Sequence, residues 1–267
     1  AVGWQLGHVL MHENDRRADL LKRCVLHALA TSQYVVFHGD SEHTYDVPGR
    51  TAHEAVFNRN DGAFRSRATQ QGYSPFSTWT RGLAWAMCGY AEQLEFLKTV
   101  PAATFKASVG LAKADVVRVF ERCARQTCDH YIDGCAALDG VCYWDDGAPG
   151  LAKLGDWRDR AAEPYNDHEP VDSSASAIAA QGLVRLGNYL GAQRGRRYRQ
   201  AGLTVARTLL NEPYLSVKPK HQGLLLHSVY HRPNGWDHVP SGRRVPCDES
   251  SMWGDYHLLE LANLIER

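Results

Sequence analysis

No apolar run in this sequence approaches the ~20 residues that a membrane-spanning helix needs. Neither sign of charge dominates: thirty basic residues balance thirty acidic ones without long runs. That excludes the basic patch expected of a nucleic-acid or membrane-surface partner, and leaves a small ligand. No C-x-x-C pair occurs among the seven cysteines, so neither a zinc ribbon nor a thioredoxin-type redox site is supported. Their odd number, with several in helical stretches, fits a reducing compartment better than a disulfide framework. G-x-G-x-x-G, P-loop, G-x-S-x-G and H-E-x-x-H patterns are also absent, which removes nucleotide, serine-hydrolase and zincin readings. What is plentiful is aromatic side chain. Seven Trp and twelve Tyr give a composition common among carbohydrate-handling proteins.

Taken in order, the chain reads as mostly helix. Residues 1–12 have no capping residue before their apolar positions and resemble the middle of a helix over 3–12, so a natural N-terminal part is expected to precede Ala1. A helix over 16–36 follows from Leu20, Leu21, Cys24, Val25, Ala28 and Leu29, spaced by threes and fours. Between Phe37 and Arg67 the helical period lapses, and Gly39, Gly49 and Gly62 punctuate stretches that can pair as small strands. Ser74 followed by Pro75 reads as the cap and first position of a helix over 75–96. Further helices are expected over 110–132, from Asp172 to a stop at Gly191, over 195–211, and from Asp248 to 265. The long loops 37–74, 133–171 and 214–247 precede alternate helices. If the helices alternate in direction, those loops share one face.

Gln71–Tyr90, reading QGYSPFSTWTRGLAWAMCGY, concentrates chemistry. Arg81 and Trp85 fall four apart on one helical face. A guanidinium beside indole rings suits an anionic ring-shaped ligand, the Arg forking onto a carboxylate and the Trp faces packing on a sugar. The same residues alone also allow a core pair of tryptophans with a snorkelling arginine. Elsewhere, His227 and His231 have the H-x3-H spacing of metal ligands but no third partner. Asp145 and Asp146 can contact sugar hydroxyls or serve a turn with Gly147.

The run Gln71–Ala91 resembles the signature of the unsaturated glucuronyl hydrolases, glycoside hydrolase family 88. Val171–Ala180 and the Trp253-Gly254-Asp255-Tyr256 segment with Leu259-Glu260 resemble two more of its motifs, in the same order. The resemblance covers essentially all of residues 1–267 as one catalytic-type domain that is N-terminally incomplete. It implies an all-α fold, an (α/α)6 toroid of which about seven of the twelve helices are present here. It implies release of 4,5-unsaturated uronic acid from lyase-generated oligosaccharides by hydration of a vinyl ether: a carboxylic acid protonates C4, water adds at C5, and the hemiketal opens. No cofactor or metal is implied, and the partner is an unsaturated uronic-acid-containing oligosaccharide, with neither nucleic acid nor membrane. Residue by residue, Gln71, Trp79, Arg81 and Trp85 fall at substrate-binding positions. His53, eighteen residues before Gln71, falls at the assisting histidine. The principal Asp is expected N-terminal to Ala1. Two alternatives stay open, an unsaturated rhamnogalacturonyl hydrolase and a catalytically silent sugar-binding protein. Cytoplasmic and periplasmic locations are equally compatible, and linkage, sulfation, adjoining sugar and oligomeric state are not legible.

Overall fold

Asp19 ends a strand and begins the first helix of the described residues. Its side chain accepts the Lys22 N–H at 3.1 Å, an N-cap that satisfies one of the helix's open donors. Helix α1 (Leu20–Tyr34) then buries Leu21, Val25 and Ala28 along one stripe. The computed structural model describes residues 10–13 and 16–266. Within them β1 (Leu10–Glu13) pairs antiparallel with β2 (Arg16–Asp19). The helix expected over 3–12 is therefore not seen at its end, where residues 10–13 are strand; residues 3–9 lie outside the described residues. The helix expected from residue 16 starts at Leu20 for the same reason, since strand pairing holds residues 16–19.

The irregular stretch after α1 holds the small strands expected there. Strands β3 (Glu54–Phe57) and β4 (Phe64–Ala68) pair antiparallel with an irregularity at Val56/Phe57. Their Phe57 and Phe64 rings pack on Tyr34 at the end of α1, with centroids 4.9 and 5.1 Å away. Helices α2 (Thr80–Thr99), α3 (Ala102–Val109) and α4 (Lys113–His130) follow, α4 running on into a wider turn over Tyr131–Cys135. The sequence reading missed α3, a short helix between Pro101 and Gly110. After the loop come α5 (Ser173–Arg194), which kinks at Gly191, α6 (Arg196–Leu209) and α7 (Met252–Glu266). That makes seven α-helices among the described residues.

Helix α5 is the centre of the packing. It lies against α2, α6 and α7, and α2 also lies against α4. Every residue from Val171 to Val184 is buried, which only a run of small side chains permits. At Gly182 the backbones of α5 and α2 come so close that a Cβ would lie 2.8 Å from the Cys88 nitrogen. One hydrophobic cluster runs from Leu21 to Leu261, and each large aliphatic side chain fully buried in it contributes about 1.5–3 kcal/mol. All seven cysteines are free thiols, Cys24 exposed and the other six buried. No described helix is long and apolar enough to cross a membrane.

Two further helix starts differ from the sequence reading, and in both the expected cap residue is engaged elsewhere. Helix α2 starts at Thr80, not at Pro75. Ser74 spends its side chain on the Phe76 N–H at 3.1 Å within a tight turn. The donors at the head of α2 go instead to the 143–146 segment: Thr78 N–H to Asp146 at 2.6 Å and Thr80 N–H to the Trp144 carbonyl at 3.1 Å. Helix α7 starts at Met252, not at Asp248. Asp248 sits at φ 65, its N–H donating to His227 at 3.0 Å, and Ser251 takes over as cap by accepting the Gly254 N–H at 3.2 Å. Asp172 does cap α5, accepting the Ala175 N–H at 3.1 Å.

The three long loops do meet on one face. Tyr73 N–H reaches Asp145 at 2.8 Å, and the Tyr165 ring meets His227 edge-on at 5.0 Å. The segments expected to gather thus line the ends of α2, α5 and α7.

Candidate ligand-binding site

Arg81, in the first turn of α2, is only 4 % exposed. Its guanidinium donates to Asp172 at 3.1 Å, to Gln71 Oε1 at 3.0 Å, to the Tyr230 carbonyl at 2.7 Å, and to the Val229 carbonyl. It also lies over the Trp79 and Trp253 rings, 4.9 and 5.1 Å from Cζ to centroid. Four acceptors from three segments converge on one planar fork, as suits guanidinium geometry. Asp172 is shared, since its other oxygen accepts Ser174 Oγ at 2.6 Å. Ser174 in turn accepts the Trp253 indole N–H at 3.0 Å. The arginine therefore ties the Gln71 loop, the Tyr230 loop and α5 together.

In front of it lies the wall. His53 rests on Trp79, ring centroids 4.6 Å apart, and its Nδ1 accepts the backbone N–H groups of Gln70 and Gln71 at 3.0 and 3.3 Å. An accepting Nδ1 carries no proton, so the neutral ring holds its hydrogen on Nε2. Burial lowers the His53 pKa against the opposing charge of Glu54, with His231 and Arg81 adding to the fall, and favours that neutral form. Trp85, one turn further along α2, is 42 % exposed and meets His257 edge-on at 5.0 Å. A cavity of about 520 Å³ opens here, with His27, Thr31, His53, Trp79, Trp85 and Gln93 in its lining. No carboxylate lines it among the described residues. At Gly82 the Trp79 ring covers the helix so closely that a Cβ would lie 2.7 Å from it.

Of the residues singled out from sequence, the structure brings His53, Trp79 and Trp85 onto one cavity wall. It places Gln71 and Arg81 directly behind, bonded to each other. Asp145 is fully buried and accepts Tyr73 N–H at 2.8 Å and Gly147 N–H at 2.9 Å. It serves the turn and anchors the Gln71–Tyr73 loop. Burial pushes its pKa up to about 6, against the pull of those N–H groups. In its neighbour Asp146, burial also acts upward. The hydrogen bond and charge of His130, the Thr78 N–H and Arg50 outweigh it and hold that carboxyl below the usual range.

His227 and His231 do not form a metal pair. Both His227 nitrogens engage backbone groups, Nε2 at 3.1 Å from the Pro213 carbonyl and Nδ1 accepting from Asp248. The described residues that could hold an ion are His130, Cys135 and Asp146, whose ligand atoms lie within 4.8 Å of one another. There Arg50, 3.9 Å from Asp146, already supplies positive charge. Sequence reasoning missed Asp172 as the partner of Arg81, and the Val229 and Tyr230 carbonyls. Only the Asp172 side chain left a trace in the sequence, as a cap.

Paired helices with polar-aromatic loops gathered on one face fit the α/α toroid class. No protein-family model matches the chain. Unsaturated glucuronyl hydrolase of Bacillus sp. (strain GL1) is 28% identical over 244 residues, 90% of this chain and 51% of that protein. Unsaturated chondroitin disaccharide hydrolase of Streptococcus pyogenes serotype M1 is 27% identical over 226 residues, 84% of this chain and 46% of that protein. The crystal structure of the Bacillus sp. GL1 enzyme, described as responsible for glycosaminoglycan degradation, aligns with a TM-score of 0.61 at 27% identity, over 90% of this chain and 50% of that one. A structure described as UGL with dGlcA-Glc-Rha-Glc aligns with a TM-score of 0.63 at 26% identity, over 93% and 53%. The chain spans about half the length of the curated relatives it matches. It is related in sequence and fold to the unsaturated glucuronyl hydrolases.

Proposed function

We propose that this chain forms the substrate-gripping wall of a glycoside hydrolase that releases 4,5-unsaturated uronic acid from oligosaccharides. The observation that carries the reading is the assembly of His53, Trp79 and Trp85 on one cavity wall, with Gln71 and Arg81 locked behind it. The relatives' names and the complexes solved for them point to the same substrate class.

In this reading the indole faces of Trp79 and Trp85 receive the apolar face of the flattened uronate ring. His53, neutral with Nε2–H turned away from the Gln70–Gln71 backbone, offers a donor at the wall. Arg81 acts as a positioning residue: it fixes the Gln71 amide and holds Trp79 and Trp253 at their spacing, and its buried positive charge favours an anion nearby. The chemistry requires a proton at C4 and water at C5, through an oxocarbenium-like centre. The proton donor is not assigned to a described residue, because Asp145 is fully buried and Asp172 is taken up by Arg81 and its cap.

The test is loss of ultraviolet absorbance from an unsaturated uronyl disaccharide, run beside calorimetric binding of the same compound. Binding with turnover supports the reading. Absence of both overturns it. Binding without turnover selects a second reading, a catalytically silent sugar-binding protein, in keeping with a cavity that no carboxylate lines among the described residues.

A further inference from the structure

We propose that His130, Cys135 and Asp146 bind a divalent cation of the zinc type, at a site apart from the cavity wall and independent of the functional reading above.

The local backbone brings two of the three side chains together. His130 closes α4, and Cys135 ends the wider turn that follows it. On a regular α-helix, residues five apart point about 140° away from each other. Here Ala136 N–H reaches back to the Tyr131 carbonyl at 2.9 Å, a bond that spans five residues. The widened turn brings Cys135 round to the side of His130. Single wide turns of this kind are frequent at functional sites. Asp146 arrives from the loop and divides its oxygens: Oδ1 accepts the Thr78 N–H at 2.6 Å, while Oδ2 lies 3.2 Å from His130 Nε2 and 3.9 Å from Cys135 Sγ.

Those spacings are near the edges of a metal tetrahedron. Zinc bonds of about 2.0 Å to nitrogen and oxygen and about 2.3 Å to sulfur give edges of about 3.3 Å for N–O and 3.5 Å for S–O. The first edge is already at length, and a small inward rotation of Cys135 supplies the other. One nitrogen, one sulfur and one oxygen donor suit zinc; magnesium and calcium call for oxygens throughout. A fourth ligand can be Thr78 Oγ1, 3.1 Å from His130 Nε2, or a water from the cavity of about 570 Å³ that His130, Asp146 and Arg50 help to line. That cavity is also the path of entry.

Binding breaks the Cys135 S–H bond, forms the sulfur–zinc bond and releases the proton to solvent. The thiolate and the carboxylate then neutralise the dication. Arg50 opposes it, but its Nη2 stands 3.9 Å from Asp146 Oδ2, longer than a charge-assisted hydrogen bond, and its Nη1 donates to the Tyr45 carbonyl at 3.3 Å. The ion therefore competes with a loose pair. Once bound, it ties the end of α4 to the carboxylate that holds Thr78 before α2.

The test adds cobalt(II) or zinc(II) chloride to the whole chain, without an affinity tag and under reducing conditions. One equivalent of cobalt(II) is expected to produce a thiolate-to-metal charge-transfer band, which zinc displaces, and zinc should raise the melting temperature. Cys135→Ser and His130→Gln, each with native circular dichroism, should lose the band and weaken zinc at least about tenfold, while Cys24→Ser keeps both. If the ligand variants do not fold, Arg50→Gln decides, because it removes the opposing cation and leaves every ligand in place; it should tighten zinc about fivefold. Absence of the band, a band that survives in Cys135→Ser, or zinc affinity unchanged or weakened in Arg50→Gln overturns the proposal.

Discussion

The Arg81 guanidinium and the Asp172 carboxylate meet at 3.1 Å with side-chain exposures of 5% and 0%. An ion pair this deep contributes little net stability over an apolar substitute, but removing one member strands the other. Asp172→Ala should therefore cost about 3–5 kcal/mol, read by urea denaturation. Asp172→Asn, which can still cap α5 and accept one bond, should cost clearly less. A loss under about 1 kcal/mol in the alanine variant would mean that water replaces the carboxylate and the pair is not buried in solution.

Gly82 and Gly182 make a contrasting pair of tests. In Gly82→Ala the new methyl meets only the Trp79 ring, which can swing away, so stability should hold within about 1 kcal/mol, helped by helix propensity. Sugar affinity should fall about tenfold as the ring leaves His53, with a changed near-ultraviolet circular dichroism spectrum. Unchanged affinity and spectrum would show that Trp79 is not part of the gripping surface.

Gly182→Ala meets rigid backbone, the Cys88 nitrogen and the Met87 carbonyl carbon at 2.8 Å. Helix α5 has to move off α2, at about 1–3 kcal/mol of overpacking despite the better helix former. Thermal melting of the variant checks it, and an unchanged or raised melting temperature would refute the close contact.

Asp145 and Asp146 should act on stability in opposite senses. The folded pKa of Asp145, about 6, lies above the unfolded value near 3.9, so between the two the folded state holds more protons and stability falls as pH rises. The fall is on the order of 3 kcal/mol and is complete above pH ~6. The folded pKa of Asp146 is depressed, so its contribution is present above the ordinary carboxylate range and disappears as pH falls through the folded value. Denaturation across pH 3 to 8 should show the slope between about 4 and 6 flattened in Asp145→Asn, and the acid limb reduced in Asp146→Asn. Identical profiles for the two variants would contradict the assignment.

His53 ties protonation to the site. Because Nδ1 accepts the Gln70 and Gln71 N–H groups, a proton there would break both contacts. With the His53 pKa lowered by burial, sugar binding should be flat through neutrality and decline only below the ordinary histidine range near 6.5. His53→Ala should bind weakly at every pH, without that acid limb. A decline that persists in the alanine variant would assign it to another group.

How much of this could be read from the sequence divides along local and long-range physics. Helices α1, α2, α4 and α5 were legible because Leu21, Val25 and Ala28, or the small residues after Asp172, state a period or a cap within one turn. The meeting of the long loops was legible from their alternation. The starts of α2 and α7 were not, since Asp146 and Ser251 outbid Ser74 and Asp248, and for α2 the winning carboxylate arrives from 68 residues away. The motif gave the positions of His53, Gln71, Trp79, Arg81 and Trp85, but not that Arg81 is enclosed by the Val229 and Tyr230 carbonyls. Main-chain acceptors carry no side-chain signature, so a sequence cannot show where they point.

The thiol inventory gives the protein a reporter of its own. Cys24 is its one exposed cysteine, and its sulfur lies 3.6 Å from Gln93 Oε1, a side chain that lines the cavity beside Trp85. A maleimide dye should therefore attach at a single place on α1 without any engineered substitution, more readily above neutral pH because burial raises that thiol. Its emission would then register occupancy of the cavity, allowing ligands to be screened on the unmodified sequence.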